Sequence, residues 1–295
     1  MNDFIIRGMA ANNNIRFFGA ETTNLVNNAI KIHNLSITNS VLLGKLMTAA
    51  AMMSSELKYE KDALTIKIDG DGPVKTTIAT SNNKGHIKGY VSNPQAELEI
   101  NKKNKKINTM DAIGNGVLTI IKDIGLKKPY NGQVKMMTGE IAKDLTYYFA
   151  QSEQIPTSVA LGVLIEPDGR VRKAGGLIVQ MMPEAEASII DRLENNLKKL
   201  PNVSDLLDMG YSINKILSDI VLKGFDSKTN QVNSIQYKCS CSRNKFKNAL
   251  KLLKKEELND MIDKNEPIEM VCHFCNTKYL FKVEELKEIA HKINK

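Results

Sequence analysis

The chain has four cysteines, and all of them lie in its last fifth: Cys239-Ser240-Cys241 and Cys272-His273-Phe274-Cys275, with 30 residues between the pairs. Two close pairs joined by a loop suit a tetrahedral ion, because each pair supplies two sulfurs locally and the ion closes the loop. No cysteine is left over. The pattern predicts one Zn2+ held by Cys239, Cys241, Cys272 and Cys275 in a small module at 236–295. That stretch carries 13 Lys/Arg against 9 Asp/Glu, so little apolar area is available to order it, and metal binding is expected to help hold it folded. Phe274, Tyr279 and Phe281 are read as its small core, and His273 as a non-ligand, since four sulfurs already complete the tetrahedron.

The two half-sites differ. Structural zinc ribbons ordinarily use two CxxC-like knuckles, whereas Cys239 and Cys241 have a single residue between them. A disulfide joining those two would close a tight, strained ring, and strain makes such a bond reducible. That property suits a switch. A permanently reduced structural zinc site is the alternative on the residues alone.

The formal net charge of +8 raises the question of nucleic acid. The charge is spread along the chain, and its densest run, Asn101-Lys102-Lys103-Asn104-Lys105-Lys106, reads as a solvated turn. The zinc module is only weakly basic, at +4 before the metal, and four thiolates with one Zn2+ would remove two charges. Aromatics are 5% with no Trp, which leaves little surface for base stacking. Nucleic acid is therefore not the expected partner. Met1-Asn2-Asp3-Phe4 does not resemble a signal peptide, and no apolar run is long enough to span a membrane. A cytoplasmic, reducing setting is expected, where clustered cysteines bind metal or sense redox state.

Upstream, the pattern predicts an α+β fold: a large mixed N-terminal domain over 1–183, a helical linker region over 184–235, and the zinc module. Asn24–His33 is weakly periodic, and Thr38–Leu57 has helical spacing with Thr38 as a candidate cap. Strands are expected at Ala63–Ile68, Val74–Thr80, His86–Val91, Gly116–Lys122 and Gln133–Met137, and a helix at Glu140–Gln151. Ser158–Ile165 and Val171–Gln180 flank the turn Glu166-Pro167-Asp168-Gly169 and read as a hairpin, with Gly175-Gly176 marking a bulge or a close approach. The linker carries an apolar stripe at Ile190, Leu193, Leu197 and Leu200, stopped by Pro201, then a second at Ile213, Ile216, Leu217 and Ile220. These stripes cover another surface, and one that can be uncovered would bind something. Gly224–Ser234 is polar.

Nothing in the sequence points to an enzyme. There is no phosphate-binding glycine loop with its lysine, no HExxH and no nucleophile elbow. Asp69-Gly70-Asp71-Gly72-Pro73 is a turn, and His33, His86 and His291 are isolated. The 13 methionines read as core filler, though exposed ones would suit an adaptable binding surface.

Several separated motifs, in order, resemble the 33 kDa heat-shock protein family of redox-regulated bacterial chaperones. They are Asp69-Gly70-Asp71-Gly72-Pro73 with Gly89-Tyr90-Val91-Ser92-Asn93-Pro94, the run Ser152–Val163, and Gly175-Gly176 leading into Gln180-Met181-Met182-Pro183. Cys239-Ser240-Cys241-Ser242-Arg243 and Cys272-His273-Phe274-Cys275 complete the match. The resemblance implies an ATP-independent holdase that prevents aggregation of unfolding or oxidatively damaged client proteins in the stress response. It implies a zinc-bound, reduced, inactive state, and an oxidised state that has released zinc, unfolded the module and formed a homodimer. Carried onto this chain, it implies disulfides Cys239–Cys241 and Cys272–Cys275. One departure is Asn244, where the family often has an acidic residue after Arg243. The competing functions are a constitutive zinc-stabilised RNA- or protein-binding module and a thiol–disulfide oxidoreductase.

Overall fold

A computed structural model describes residues 2–98, 109–183 and 185–293. The lysine run at 101–106 lies outside the described residues. Two compact units are present, Met1–Lys238 and Cys239–Lys295.

The first unit opens with a hairpin, β1 (Phe4–Ala10) and β2 (Ile15–Glu21), turned by Ala11, Asn12 and Asn13, all at positive φ. Two helices follow, α1 (Thr23–His33) and α2 (Ile37–Ser54). Ser36, and not the expected Thr38, caps α2: its hydroxyl accepts from the Asn39 N–H at 3.2 Å, while Thr38 Oγ1 donates to Glu97. Of the 18 residues of α2, 15 are buried, which explains why its sequence is apolar and small on every side.

A meander comes next, β3 (Ala63–Gly70), β4 (Thr76–Asn82) and β5 (His86–Val91), each alternating buried and half-buried residues as a one-sided sheet requires. After the short α3 (Thr109–Ile113) come β6 (Gly116–Asp123) and β7 (Tyr130–Lys135). Helix α4 (Ile141–Tyr148) widens into a π-helical turn at Phe149–Glu153, and the expected hairpin follows as β8 (Thr157–Ile165) and β9 (Val171–Met181). The linker region supplies α5 (Ala187–Lys198), α6 (Val203–Asp208) and α7 (Ile213–Lys215), the last running into a π-helical turn at Ile216–Val221. It ends in β10 (Ser227–Ser234), and β11 (Gln236–Tyr237) follows it. The polar stretch 224–234 is thus largely a strand. It lacks apolar alternation because it is an outer strand whose side chains are nearly all exposed, and its order comes from backbone pairing with β1.

Two sheets result, in the orders β10-β1-β2-β9-β8 and β11-β5-β4-β3-β6-β7. Their antiparallel pairings, with a single parallel contact from β11 to β5, make the fold α+β as the sequence predicts. Helix α2 packs on β2, β8 and β9 of one sheet and on β3, β4 and β5 of the other, so one core joins both. The five-stranded sheet is apolar on both faces. Ile5, Phe18 and Ile178 turn toward the α2 core, while Ile6, Phe17, Leu177 and Val179 turn toward the linker helices. That alternation within β1, β2 and β9 follows from the two-residue period of a strand.

The second unit contains α8 (Arg243–Leu250), α9 (Lys255–Asp263), the hairpin β12 (Ile268–Val271) and β13 (Lys278–Phe281), and α10 (Val283–Ile293). Its buried apolar core is Leu250, Leu258, Phe281, Leu286 and Ile289. Phe281 belongs to that core and Tyr279 packs against it half-buried; Phe274, also expected there, does not join it. Among the described residues no helix is long and apolar enough to cross a membrane.

Candidate metal centre

The CxxC pair occupies the loop of the β12–β13 hairpin. The Cys272 carbonyl accepts from the N–H groups of Cys275 at 3.2 Å and Asn276 at 2.8 Å, and the Cys272 N–H donates to Thr277 O at 3.0 Å. Asn276, at φ 56°, takes the left-handed conformation that closes the knuckle, a conformation Asn tolerates better than most residues. The CxC pair sits just before α8, whose N-cap Ser242 accepts from the Lys245 N–H. Lys245 Nζ also reaches back to the Ser240 carbonyl at 2.6 Å and its hydroxyl at 3.2 Å, tying down the residue between the two cysteines.

Those two local turns bring all four Sγ atoms within 4.8 Å of one another. Cys239 and Cys272 are 3.8 Å apart, and Cys241 and Cys275 are 3.3 Å apart. Thiolates about 2.3 Å from a tetrahedral zinc define edges of about 3.8 Å, so the sulfurs have the number, chemistry and spacing that zinc takes. His273 is exposed and takes no place in the cluster. Among the described residues this is the one group of three or more such ligands.

Each sulfur has its own surroundings. Cys272 is 5% exposed, and burial pushes its thiol up. Burial, with the neighbouring thiols, pushes Cys239 up to about 12. Cys275 is opposite in sign: burial would raise it, yet the Thr277 hydroxyl and backbone N–H, with the Cys241 and Cys272 thiols, bring it down to about 7. A divalent cation among them would favour thiolate at all four.

Two hydroxyls that sequence reading did not single out complete the centre. Tyr279 Oη is 3.2 Å from Cys241 Sγ, and Thr277 Oγ1 is 3.2 Å from Cys275 Sγ. The Cys241 sulfur, as hydrogen-bond partner, is the main reason the Tyr279 phenol is pushed up to about 12. Its ring is held against Phe246 of α8, centroids 4.7 Å apart. The signal for Tyr279 was present in strand alternation, which sets it on the same side of β13 as the buried Phe281. Arg243 Nη2 donates to both Glu285 carboxylate oxygens, at 2.9 and 2.8 Å, and the guanidinium lies 4.5 Å from the Phe281 ring centroid, joining the start of α8 to α10 and the core.

In the first unit, the linker helices cover the second apolar face of the five-stranded sheet. Leu193, Val203, Leu206, Leu207, Ile213 and Ile216 are buried there. At roughly 1.5–3 kcal/mol for each fully buried large aliphatic side chain, this is a well-held cover. The expected Ile190 is instead 37% exposed; Ile189 packs in its place, one turn from Leu193. The close approach expected at Gly175 is present: a Cβ there would lie 2.7 Å from Leu207 Cδ1. Of the paired methionines, Met52, Met53 and Met136 are buried, Met181 and Met182 are half-buried and Met137 is 60% exposed; the unpaired Met209 is 74% exposed.

Comparison with known proteins gives a consistent picture. The family model described as Hsp33 protein matches residues 3–282. The 33 kDa chaperonin of Lachnoclostridium phytofermentans is 44% identical over 294 residues, covering 100% of both chains. That of Clostridioides difficile strain 630 is also 44% identical, covering 99% of this chain and 100% of the relative. A crystal structure of the 33 kDa chaperonin (heat shock protein 33 homolog) from Thermotoga maritima superposes with a TM-score of 0.87 at 37% identity, covering 100% of both chains.

Proposed function

We propose that this chain, which belongs to the Hsp33 family, is a redox-regulated, ATP-independent holdase that prevents aggregation of unfolding proteins in the cytoplasm under oxidative stress. Family membership supports a chaperone that binds client proteins. The observation that supports the redox part is the convergence of four sulfurs within 4.8 Å in a unit whose buried apolar cluster, among the described residues, comprises five side chains.

In the reduced state Cys239, Cys241, Cys272 and Cys275 would hold one zinc ion. Zinc, when bound, keeps the four sulfurs as thiolates and joins the α8 entry to the β12–β13 loop. Oxidation by hydrogen peroxide converts two thiolates to one disulfide: the pair gives up two electrons, the peroxide O–O bond breaks, and with two protons taken from solvent two waters form per pair. The pairing Cys239–Cys241 and Cys272–Cys275 would consume two peroxides and remove all four ligands. With so small a core, the second unit then unfolds. In this reading the parts that respond separately are 1–183, 184–235 and 236–295: loss of the last loosens the linker helices from the sheet. The face bearing Ile6, Phe17, Leu177 and Val179 is then available to clients, and the oxidised form associates as a homodimer.

The test is suppression of a client protein's thermal aggregation before and after peroxide with mild heat. Activity should rise on oxidation and fall on reduction. No gain on oxidation, with zinc retained, would sink the proposal. Salt-sensitive RNA binding that survives oxidation would favour the constitutive binding module instead.

A further inference from the structure

We propose that the Tyr279 and Thr277 hydroxyls are brakes on two of the four sulfurs, Cys241 and Cys275, and so set how fast oxidation opens the centre. The inference rests on the reading of these cysteines as oxidisable metal ligands and concerns what regulates their rate. One sulfur of each pair has a hydroxyl at 3.2 Å: Tyr279 Oη on Cys241 and Thr277 Oγ1 on Cys275. Cys239 and Cys272 have each other at 3.8 Å and no hydroxyl partner among the described residues. The asymmetry is built by the fold. The Phe246 ring positions the Tyr279 ring, and β13 pairing with β12, Tyr279 opposite Met270, fixes the height of its hydroxyl. Thr277 is held by the bond from the Cys272 N–H to its carbonyl.

The direction of each bond follows from the ligands. A thiolate holding a metal has no proton, so the tyrosine and threonine O–H groups must donate. The effect on rate follows as well. A sulfur already held as thiolate need not lose a proton to react, which leaves its nucleophilicity as the governing quantity. A donated hydrogen bond, strengthened by the sulfur's charge, draws on the lone pair that would attack. In the attack, sulfur gives two electrons to one peroxide oxygen, the O–O bond breaks, and the products are a sulfenic acid and hydroxide. A second thiol then attacks the sulfenic sulfur, forming the S–S bond and releasing water. Both hydroxyls therefore slow the first step at the sulfur they touch while leaving the geometry of the four ligands unchanged. Tyr279 and Thr277 are positioning residues in this scheme; neither reacts.

The experiment uses the full chain, reduced and zinc-loaded, treated with hydrogen peroxide and quenched by alkylation, with each cysteine's oxidation rate read by mass spectrometry. Tyr279→Phe keeps the ring against Phe246 and removes the donor. It should raise the Cys241 rate ~5-fold, equivalent to about 1 kcal/mol at 1.4 kcal/mol per decade, and leave Cys275 at the wild-type rate. Thr277→Val should do the converse, and Thr277→Ser, which restores a hydroxyl, should return Cys275 to its original rate. An unchanged Cys241 rate in zinc-loaded Tyr279→Phe would overturn the inference. So would equal acceleration of all four sulfurs, which marks general loosening; should Tyr279→Phe lose zinc altogether, the threonine pair of variants decides by the same criterion. Wild-type protein that binds no zinc, or whose thiols resist peroxide, would instead overturn the proposed function.

Discussion

Ser204 rests directly on Gly162: a Cβ added to that glycine would lie 2.6 Å from the Ser204 backbone nitrogen and 2.8 Å from its Cβ. Gly162 pairs across the sheet with Gly175, where an added Cβ would meet Leu207 Cδ1. Helix α6 therefore sits on bare strand backbone from two neighbouring strands, and the linker docks at a distance that only glycine allows.

Gly162→Ala should loosen that seat without touching the cysteines. Backbone is the obstructing group, so the change cannot be absorbed by a rotamer, and overpacking of this kind costs about 1–3 kcal/mol. We expect faster amide exchange across 203–222 and raised aggregation suppression in reduced, zinc-loaded protein. Unchanged exchange with no gain in activity would show that this contact does not govern the cover.

Replacing Cys272 with Ser addresses the other unit. Cys272 is the most buried of the four sulfurs, and its carbonyl and N–H organise the knuckle. Zinc affinity should fall by more than about 100-fold, the upper end of the cost of losing even an outer partner of a ligand. Limited proteolysis should then find cleavage within 239–295 under reducing conditions. Unchanged zinc stoichiometry together with unchanged protease resistance would contradict the assignment.

Asp3 offers a pH-dependent check on the first unit. Its carboxylate accepts from the Asn24 N–H at 3.1 Å and from the Leu25 N–H, capping the orphan donors at the start of α1 from a distant part of the chain. Burial is the largest influence and raises its carboxyl above the usual 3.8, against the pull of those bonds. A group raised in the folded state contributes stability that is full below its unfolded pKa and lost as pH rises through the folded one. Asp3→Asn does not titrate. Wild type should therefore lose stability relative to this variant as pH rises past the ordinary carboxyl value of 3.8, read as the difference in denaturation midpoints. A wild-type advantage that grows toward neutral pH would reverse the sign and refute the account of Asp3.

Much of this was legible in the sequence because the determinants are local. The β8–β9 hairpin announced itself by an apolar run, a Pro-Asp-Gly turn and a return strand, and the meander by alternation. The cysteine spacing points to a four-sulfur cluster, which the β12–β13 knuckle and the turn before α8 bring within 4.8 Å. What escaped reading depends on distant partners. The β1–β2 hairpin is the exception, since its turn is local and lies in Ala11-Asn12-Asn13, all at positive φ. Strand β10 has no apolar period and takes its order from β1, more than 200 residues earlier. Ile189 rather than Ile190 faces the sheet because the seat of the helix, and not its own stripe, sets its rotation. Tyr279 looked like core, and its ring is packed; only the three-dimensional position of Cys241 shows where its hydroxyl points.

In the proposed function, breaking the sulfur cluster is what turns the chaperone on. The direct measurement is a single oxidation time course in which zinc release, protease cleavage within 184–295 and suppression of client aggregation are followed together. We expect one zinc per chain to be released in step with cleavage in the second unit, with cleavage in the linker and chaperone activity rising together afterwards. Full chaperone activity while zinc remains bound and the second unit stays protease-resistant would contradict it.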